Sequence, residues 1–571
     1  MSTRGYVRLL TVAGIMSALL LVAVLLVRYV IEGPRGRSPS VLVVVIDTLR
    51  ADRAYGPASK MPFFTQLARR GVVFTQARSV AEWTLPSHAS LFTGKLPSEH
   101  GATFEHRTLP SEAATLAEVL ATYGYATAGF TANVNVSSLY GFEQGFDRFV
   151  EAWRTPAGKD RTRASDTMID ELLAWWDATP HRPVFMFLNL MDAHLPYDAD
   201  PESLAAAGPD ARAIPQEILA ASDLFERVLA GEVVVDEAFA RALAARYGAA
   251  VQTADRKLER LVLELERREF FEHGVLVVTS DHGENLGENG RVDHQGVFDE
   301  TLLRVPLLLY GERVPANVVR DEPITTARLF PWLVDLANGA SKLPTPGETA
   351  LVAERYPAIE IAERLAAKRP HVDRTTLERG EVAIVPREGG RKLLLTPGRE
   401  PRLFDIEGPA AAERELDAKA ESEWIERLQR DWARVRQLAR PVRETYEPER
   451  SNGVEDSETW QRLAELGYVG ARTEVFSMHA QEHLSRGNRA FQRKDYAAAR
   501  TDFEAATRLD PNFVDAWFNL ALALERTDLE SALQIWEHYL ALALKQGGQD
   551  AASIEHAMGR VEALKAPAPP K

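Results

Sequence analysis

Three short, unbroken apolar runs constrain this chain more than any other feature: "VLVVVID" at 41–47, "VFMFLNLMDAH" at 184–194 and "VLVVTSDH" at 275–282. Runs of this length without polar alternation are strands buried on both faces, the pattern of a parallel sheet. Between them, stretches such as "TLAEVLATYGY" and "AVQTADRKLERLVLELERREFFEHG" repeat apolar residues at three and four spacings. Helices therefore alternate with strands, and the region reads as an α/β sandwich. Ligands of such sheets sit beyond the carboxyl ends of the strands. Asp47, Asp281 and His282 fall there. One acid at a strand end is an ordinary cap. Three strands that each close in an acid, or in an acid and a histidine, converge on something more.

The stretch "EWTLPSHASLFTG", 82–94, supplies a hydroxyl. Pro86 suits a first helical turn and Gly94 a helix end. Thr84 then stands at the positive end of a short helix, as a cap or as a nucleophile. Two carboxylates, one imidazole and one hydroxyl form a mixed oxygen and nitrogen shell suited to a divalent cation.

A formal charge of -15 argues against a nucleic-acid partner, and the absence of cysteine excludes disulfides, zinc–thiolate sites and thiol nucleophiles. From Leu9 to Val27 no residue is charged, and at helical rise this run spans roughly 28 Å, about a hydrocarbon core. Arg8 and Arg28 bracket it, and no small-x-small cleavage site follows. The expectation is a retained anchor, with 1–8 as its cytoplasmic flank, 9–31 as a transmembrane helix and 32–39 as a linker. The arginines on both sides leave its orientation open by charge alone.

The motifs "VVVIDTLRADRAYG", "WTLPSHASLFTGKLPSEHG", "SDHGENLGENG" and "HQGVFDETLLRVPLLLYG" resemble, in order and spacing, those of the sulfatase family within the alkaline-phosphatase superfamily. The resemblance implies an alkaline-phosphatase-like sandwich at 40–340 with a central, mostly parallel sheet, and a small C-terminal subdomain at 341–440. It also implies one divalent metal ion, calcium, manganese or zinc, held by Asp47, Thr84, Asp281 and His282. Thr84 takes the place of the covalent nucleophile, and His194 and His294 match positions that contact ester oxygens or protonate the leaving group. His88 and Lys95 flank the nucleophile helix as substrate-binding positions, and Asp192 reads as structural.

Three departures from the sulfatase pattern matter. Thr84 and His88 stand where the family has an oxidisable Cys or Ser and an Arg, so no formylglycine is expected. Thr48 replaces a second acid, and His282 replaces a common amide. The shell is then similar to that of relatives that transfer phosphoryl and phosphonyl groups through threonine. A metal that lowers the pKa of a coordinated oxygen would let Thr84 attack without a separate strong base.

The region 441–475 reads as a linker, and "HLSRGNRAFQRKDYAAARTDFEAATRLDPNF" resembles a tetratricopeptide repeat, with Gly487, Ala499, Phe503, Ala506 and Pro511 at its spacing. A second copy carries Trp517, Leu520, Ala532 and Trp536. An all-α repeat domain over 476–566 and a disordered tail at 567–571 follow. Such repeats supply a groove for a protein or peptide partner. The expected function is a membrane-anchored, metal-dependent hydrolase of anionic sulfuric, phosphoric or phosphonic esters, with its catalytic domain outside the cytoplasm. The alternatives are a phosphoethanolamine- or phosphoglycerol-type head-group transferase and an inactive scaffold acting through its repeats.

Overall fold

The computed structural model describes residues 38–438 and 483–565, apart from 105, 156–160, 180–181, 312, 348, 410–411, 485–486, 489, 492–493, 510–512 and 547–550. The apolar run Leu9–Val27, the linker 441–475, Pro511 and the tail lie outside these residues. Among the described residues, no helix is long and apolar enough to cross a membrane.

The first apolar run forms the strand Ser40–Ile46, buried at every position. Its valines suit a pleat covered on both faces, and it pairs in parallel with Val184–Leu190 on one side and Gly274–Thr279 on the other. The eight-stranded sheet runs Val318–Arg320, Val72–Phe74, Leu307–Gly311, Gly274–Thr279, Ser40–Ile46, Val184–Leu190, Ala126–Thr131, Arg148–Glu151. Only Leu307–Gly311 runs against its neighbours. Alternate side chains Val41, Val43, Val45, Phe185, Phe187, Val275 and Val277 join Leu85, Phe92, Leu116, Leu120, Leu329 and Leu333 in one core cluster, so one face of the sheet is covered by the helices Thr84–Thr93, Leu116–Thr122 and Leu329–Ala337. Arg161–Ala178 packs on the strands Ala126–Thr131 and Val184–Leu190, and the long helix Glu237–Arg267 packs against it in turn.

A second, antiparallel sheet orders Leu351–Arg355, Glu381–Val385, Arg391–Leu395, Arg402–Asp405 and Arg414–Leu416, with Ser422–Leu438 packed on it. It is tied to the main sheet domain just ahead of the helix Thr84–Thr93: the Glu354 amide donates to the Val80 carbonyl at 2.8 Å. A buried ionic set adds to the join. Glu300 lies 2.8 Å from Arg78 and 3.1 Å from Arg304, and the Glu300 amide donates to Glu413, the partner of the buried Lys392.

The chain divides at Val454/Glu455 into two compact units. In the second, the helices Tyr496–Leu509, Val514–Thr527, Leu529–Gln546 and Ala551–Lys565 follow one another. Ala499, Phe503 and Ala506 are buried in one cluster with Leu520 and Ala532. Gly487 is required by close approach, since a Cβ there would lie 2.4 Å from the Phe503 ring.

Candidate active site

The parallel register lifts the candidate residues together. Val45 pairs with Thr279, so Asp47 and the pair Asp281–His282 leave neighbouring strands at the same edge. The ligand atoms of Asp47, Asp281 and His282 all lie within 4.8 Å of one another, and all three residues are buried. Thr84 opens the helix Thr84–Thr93, whose ten residues are buried and which Gly94 ends at φ 69. The Thr84 hydroxyl lies 3.3 Å from Nε2 of His282. Nδ1 of His282 donates to the Gly283 carbonyl at 2.9 Å, so Nε2 carries the lone pair that faces Thr84.

The carboxylates are half satisfied. Asp47 Oδ2 accepts from Asn133 at 2.6 Å and Asn189 at 3.4 Å, while Oδ1 has no partner. Asp281 Oδ1 accepts from the amides of Thr48 and His282 at 3.2 and 3.0 Å, while Oδ2 has none. Burial pushes the Asp281 carboxyl above its ordinary range despite His88 and the amides, and burial drives His282 down to about 3. A buried carboxylate oxygen without a partner is costly. Two such oxygens beside a neutral imidazole nitrogen and a hydroxyl fit a divalent cation, which would neutralise them.

Thr48 turns away from this cluster. It adopts φ 57, donates from its hydroxyl to Ala193 O at 2.8 Å, and accepts at its carbonyl from Tyr247 at 2.7 Å. His88 lies beneath the cluster, where Nδ1 donates to Thr84 O at 2.9 Å and stands 3.6 Å from Asp281 Oδ2. Its ring meets Phe187 edge-on. His194 and His294 are brought to the same place, their rings 5.4 Å apart, with His294 4.4 Å from His282. Nδ1 of His194 donates to Leu195 O at 2.7 Å. Nδ1 of His294 faces Asp293 at 3.0 Å and Glu284 at 3.3 Å. Burial alone would lower its pKa, but these carboxylates outweigh burial and hold the imidazole well above its ordinary range. Burial pushes Glu284 up to about 7.

Lys95 is not brought to the site. It follows Gly94 at the far end of the helix from Thr84, about 15 Å along the axis, so the sequence neighbourhood of the nucleophile does not survive as spatial neighbourhood. Asp192 pairs with Lys257 at 2.6 Å. The residues that sequence reasoning passed over are the partners of these side chains: Asn133 and Asn189 on Asp47, and Glu284 and Asp293 on His294. Asn189 carried a signal, being the polar residue inside an otherwise apolar strand.

A family model described as Sulfatase matches residues 39–340, more than half of the chain. The chain belongs to the sulfatase family. A model described as TPR repeat matches residues 487–528 of this sulfatase-family chain. An ulvan-active sulfatase of Formosa agariphila is 25% identical over 330 residues, 52% of this chain and 62% of that protein. Arylsulfatase K of Rattus norvegicus is 22% identical over 367 residues, 55% of this chain and 64% of that protein. The chain thus spans less than two thirds of the length of these relatives. A solved phosphonate monoester hydrolase from Silicibacter pomeroyi shares the fold, with a TM-score of 0.57 at 17% identity over 71% of this chain and 97% of that one.

Proposed function

We propose that this sulfatase-family chain is a metal-dependent ester hydrolase that uses Thr84 itself as the nucleophile, with phosphoric or phosphonic esters preferred over sulfuric ones. The observation that carries the reading is the Thr84 hydroxyl, which opens a buried helix 3.3 Å from His282 Nε2 and adjoins two carboxylates with partnerless oxygens. Asp47, Asp281 and His282 are the residues that would hold a divalent ion, with Thr84 beside them; such an ion supplies positive charge against the ester oxygens and lowers the pKa of a neighbouring hydroxyl. The helix N-terminus adds partial positive charge at the same point.

The Thr84 oxygen attacks phosphorus or sulfur as its hydroxyl proton passes to water, the ester oxygen leaves, and His194 or His294 gives it a proton; water then attacks the same atom and returns a proton to that histidine, while the Thr84 oxygen leaves and regains its proton from solvent. Water can attack phosphorus in a phosphorylated threonine. A sulfated threonine lacks the geminal hydroxyl by which a formylglycine hydrate expels sulfate, which favours phosphorus. On the same reading the apolar run Leu9–Val27 anchors the catalytic unit outside the cytoplasm, and the repeat unit takes a protein or peptide partner.

The test compares kcat/KM of the full chain, supplied with manganese, zinc or calcium, on matched aryl sulfate, aryl phosphate and aryl phosphonate esters. Thr84→Ala serves as the blank. Faster turnover of a phosphorus ester, lost in the variant, is expected. Preference for the sulfate would overturn the argument from clearing the intermediate, and an active Thr84→Ala would overturn the nucleophile.

A further inference from the structure

Two very short strands, Asn285–Leu286 and Val292–Asp293, pair antiparallel with Asn285 opposite Asp293. This hairpin folds Asp293 back beside Glu284. Asp293 holds φ 66, a left-handed conformation that strains a residue other than glycine. From there its Oδ1 accepts the His294 amide at 2.6 Å and stands 3.0 Å from the same residue's Nδ1. Glu284 Oε1 reaches Nδ1 from the other side at 3.3 Å. Near Glu284 lies Tyr197, fully buried and also at positive φ, 59, its hydroxyl without a hydrogen-bond partner.

Strain that persists at two residues around one ring marks a place where the surroundings over-determine the geometry. Nδ1 faces two carboxylate oxygens, at 3.0 and 3.3 Å. The ring itself packs on His282 at 4.4 Å and near His194 at 5.4 Å, beside the Thr84 hydroxyl.

We propose that Glu284 and Asp293 are positioning residues that grip the His294 ring by its Nδ1–H and turn its Nε2 toward the ester at Thr84. The proposal rests on the reading of Thr84 and His294 as groups that meet the substrate. It assigns the second acid–histidine set a different job from the first.

The experiment uses the full chain and the fastest aryl ester, with kcat and KM measured separately for Glu284→Gln, Asp293→Asn, His294→Ala and their pairs. Histidine 15N spectra and bound-metal content are recorded on the same samples. Each carboxylate variant is expected to lose roughly tenfold to a hundredfold in kcat with KM little changed. Added to His294→Ala, neither should cost anything further, because both act through that ring. The spectrum should show His294 protonated at Nδ1 in the parent and an altered pattern in each variant.

Losses that multiply in the His294→Ala background would overturn the proposal. So would a second equivalent of metal that Glu284→Gln releases, since that would make the set a ligand shell. If Thr84→Ala were fully active the proposed function would fail, and the 15N spectrum, which needs no turnover, would still decide whether the ring is held.

Discussion

Two triads stand side by side in this molecule with nearly the same composition and different uses of their carboxylates. Asp47, Asp281 and His282 form one, and Glu284, Asp293 and His294 the other, each with ligand atoms within 4.8 Å. In the first, the carboxylates spend one oxygen each on amide donors and leave the other without a partner. In the second, both carboxylates converge on one imidazole nitrogen, and Glu284 too leaves one oxygen without a partner. Composition alone does not separate a cation shell from a cradle. What separates them is where the histidine proton goes: His282 gives its Nδ1–H to a backbone carbonyl and keeps a lone pair for the cluster, whereas His294 gives its Nδ1–H to the acids.

The change with the largest expected effect breaks the first triad. Asp281→Ala should lower kcat/KM by roughly a thousandfold or more, as should Thr84→Ala. Steady-state kinetics on the preferred ester checks this, and a loss within tenfold for either would detach the triad from the chemistry. Next comes a crossing of stabilities. With a chelator present, Asp281→Asn should unfold no more easily than the parent, because the amide removes a buried, half-paired charge. With saturating metal the parent should be the more stable, by about 3 kcal/mol at a hundredfold excess over Kd. Thermal melts of both proteins in both conditions test the crossing, and a parent melt indifferent to metal would sink it. His294→Ala should respond to metal as the parent does.

A smaller effect is expected one layer out. Asn133 orients Asp47 through a 2.6 Å hydrogen bond, so Asn133→Ala should weaken metal binding roughly tenfold to a hundredfold without touching the nucleophile. Titration calorimetry with the metal that best supports turnover measures this, and an unchanged affinity would mean that Asn189 alone suffices to hold the carboxylate.

The two triads also differ in how far they could be read from the chain. Asp47 and Asp281 end continuous apolar strands, and Thr84 begins a helix bounded by Pro86 and Gly94, so strand order and helix start bring them together once the sheet is parallel. Lys95 fails by the same geometry, since a short helix carries it away from Thr84. Glu284 and Asp293 become neighbours only through a hairpin of two-residue strands and a left-handed Asp293, features with no periodicity to betray them. Asn133 reaches the site from the loop after another strand, and its role depends on tertiary closure. Residues that act directly sit where secondary structure puts them. Residues that orient sit where the fold closes, and a sequence pattern carries little of that.

A third buried set of charges sharpens the contrast, because it needs neither cation nor substrate. Glu300 is fully buried between Arg78 and Arg304, with Lys392 and Glu413 adjoining. Burial alone would raise its pKa, but the two guanidiniums and the lysine outweigh burial and bring it down to about 2 from 4.5. A folded-state pKa below the unfolded one means that the unfolded chain binds the proton first, so stability falls with pH in this window. The contribution is fully present above about 4.5 and is lost as pH drops towards about 2, on the order of 3 kcal/mol in all. Glu300→Gln removes this titration and leaves two buried arginines unpaired, so at neutral pH the variant should be less stable by about 3 kcal/mol or more. Below pH 4.5 the gap between parent and variant should narrow as the parent loses what the variant never had. Denaturant unfolding of both proteins from neutral pH into this range reads the difference directly, with the other acids cancelling between them. Parallel curves would mean that Glu300 is held no more firmly as an anion in the folded chain than in the unfolded one.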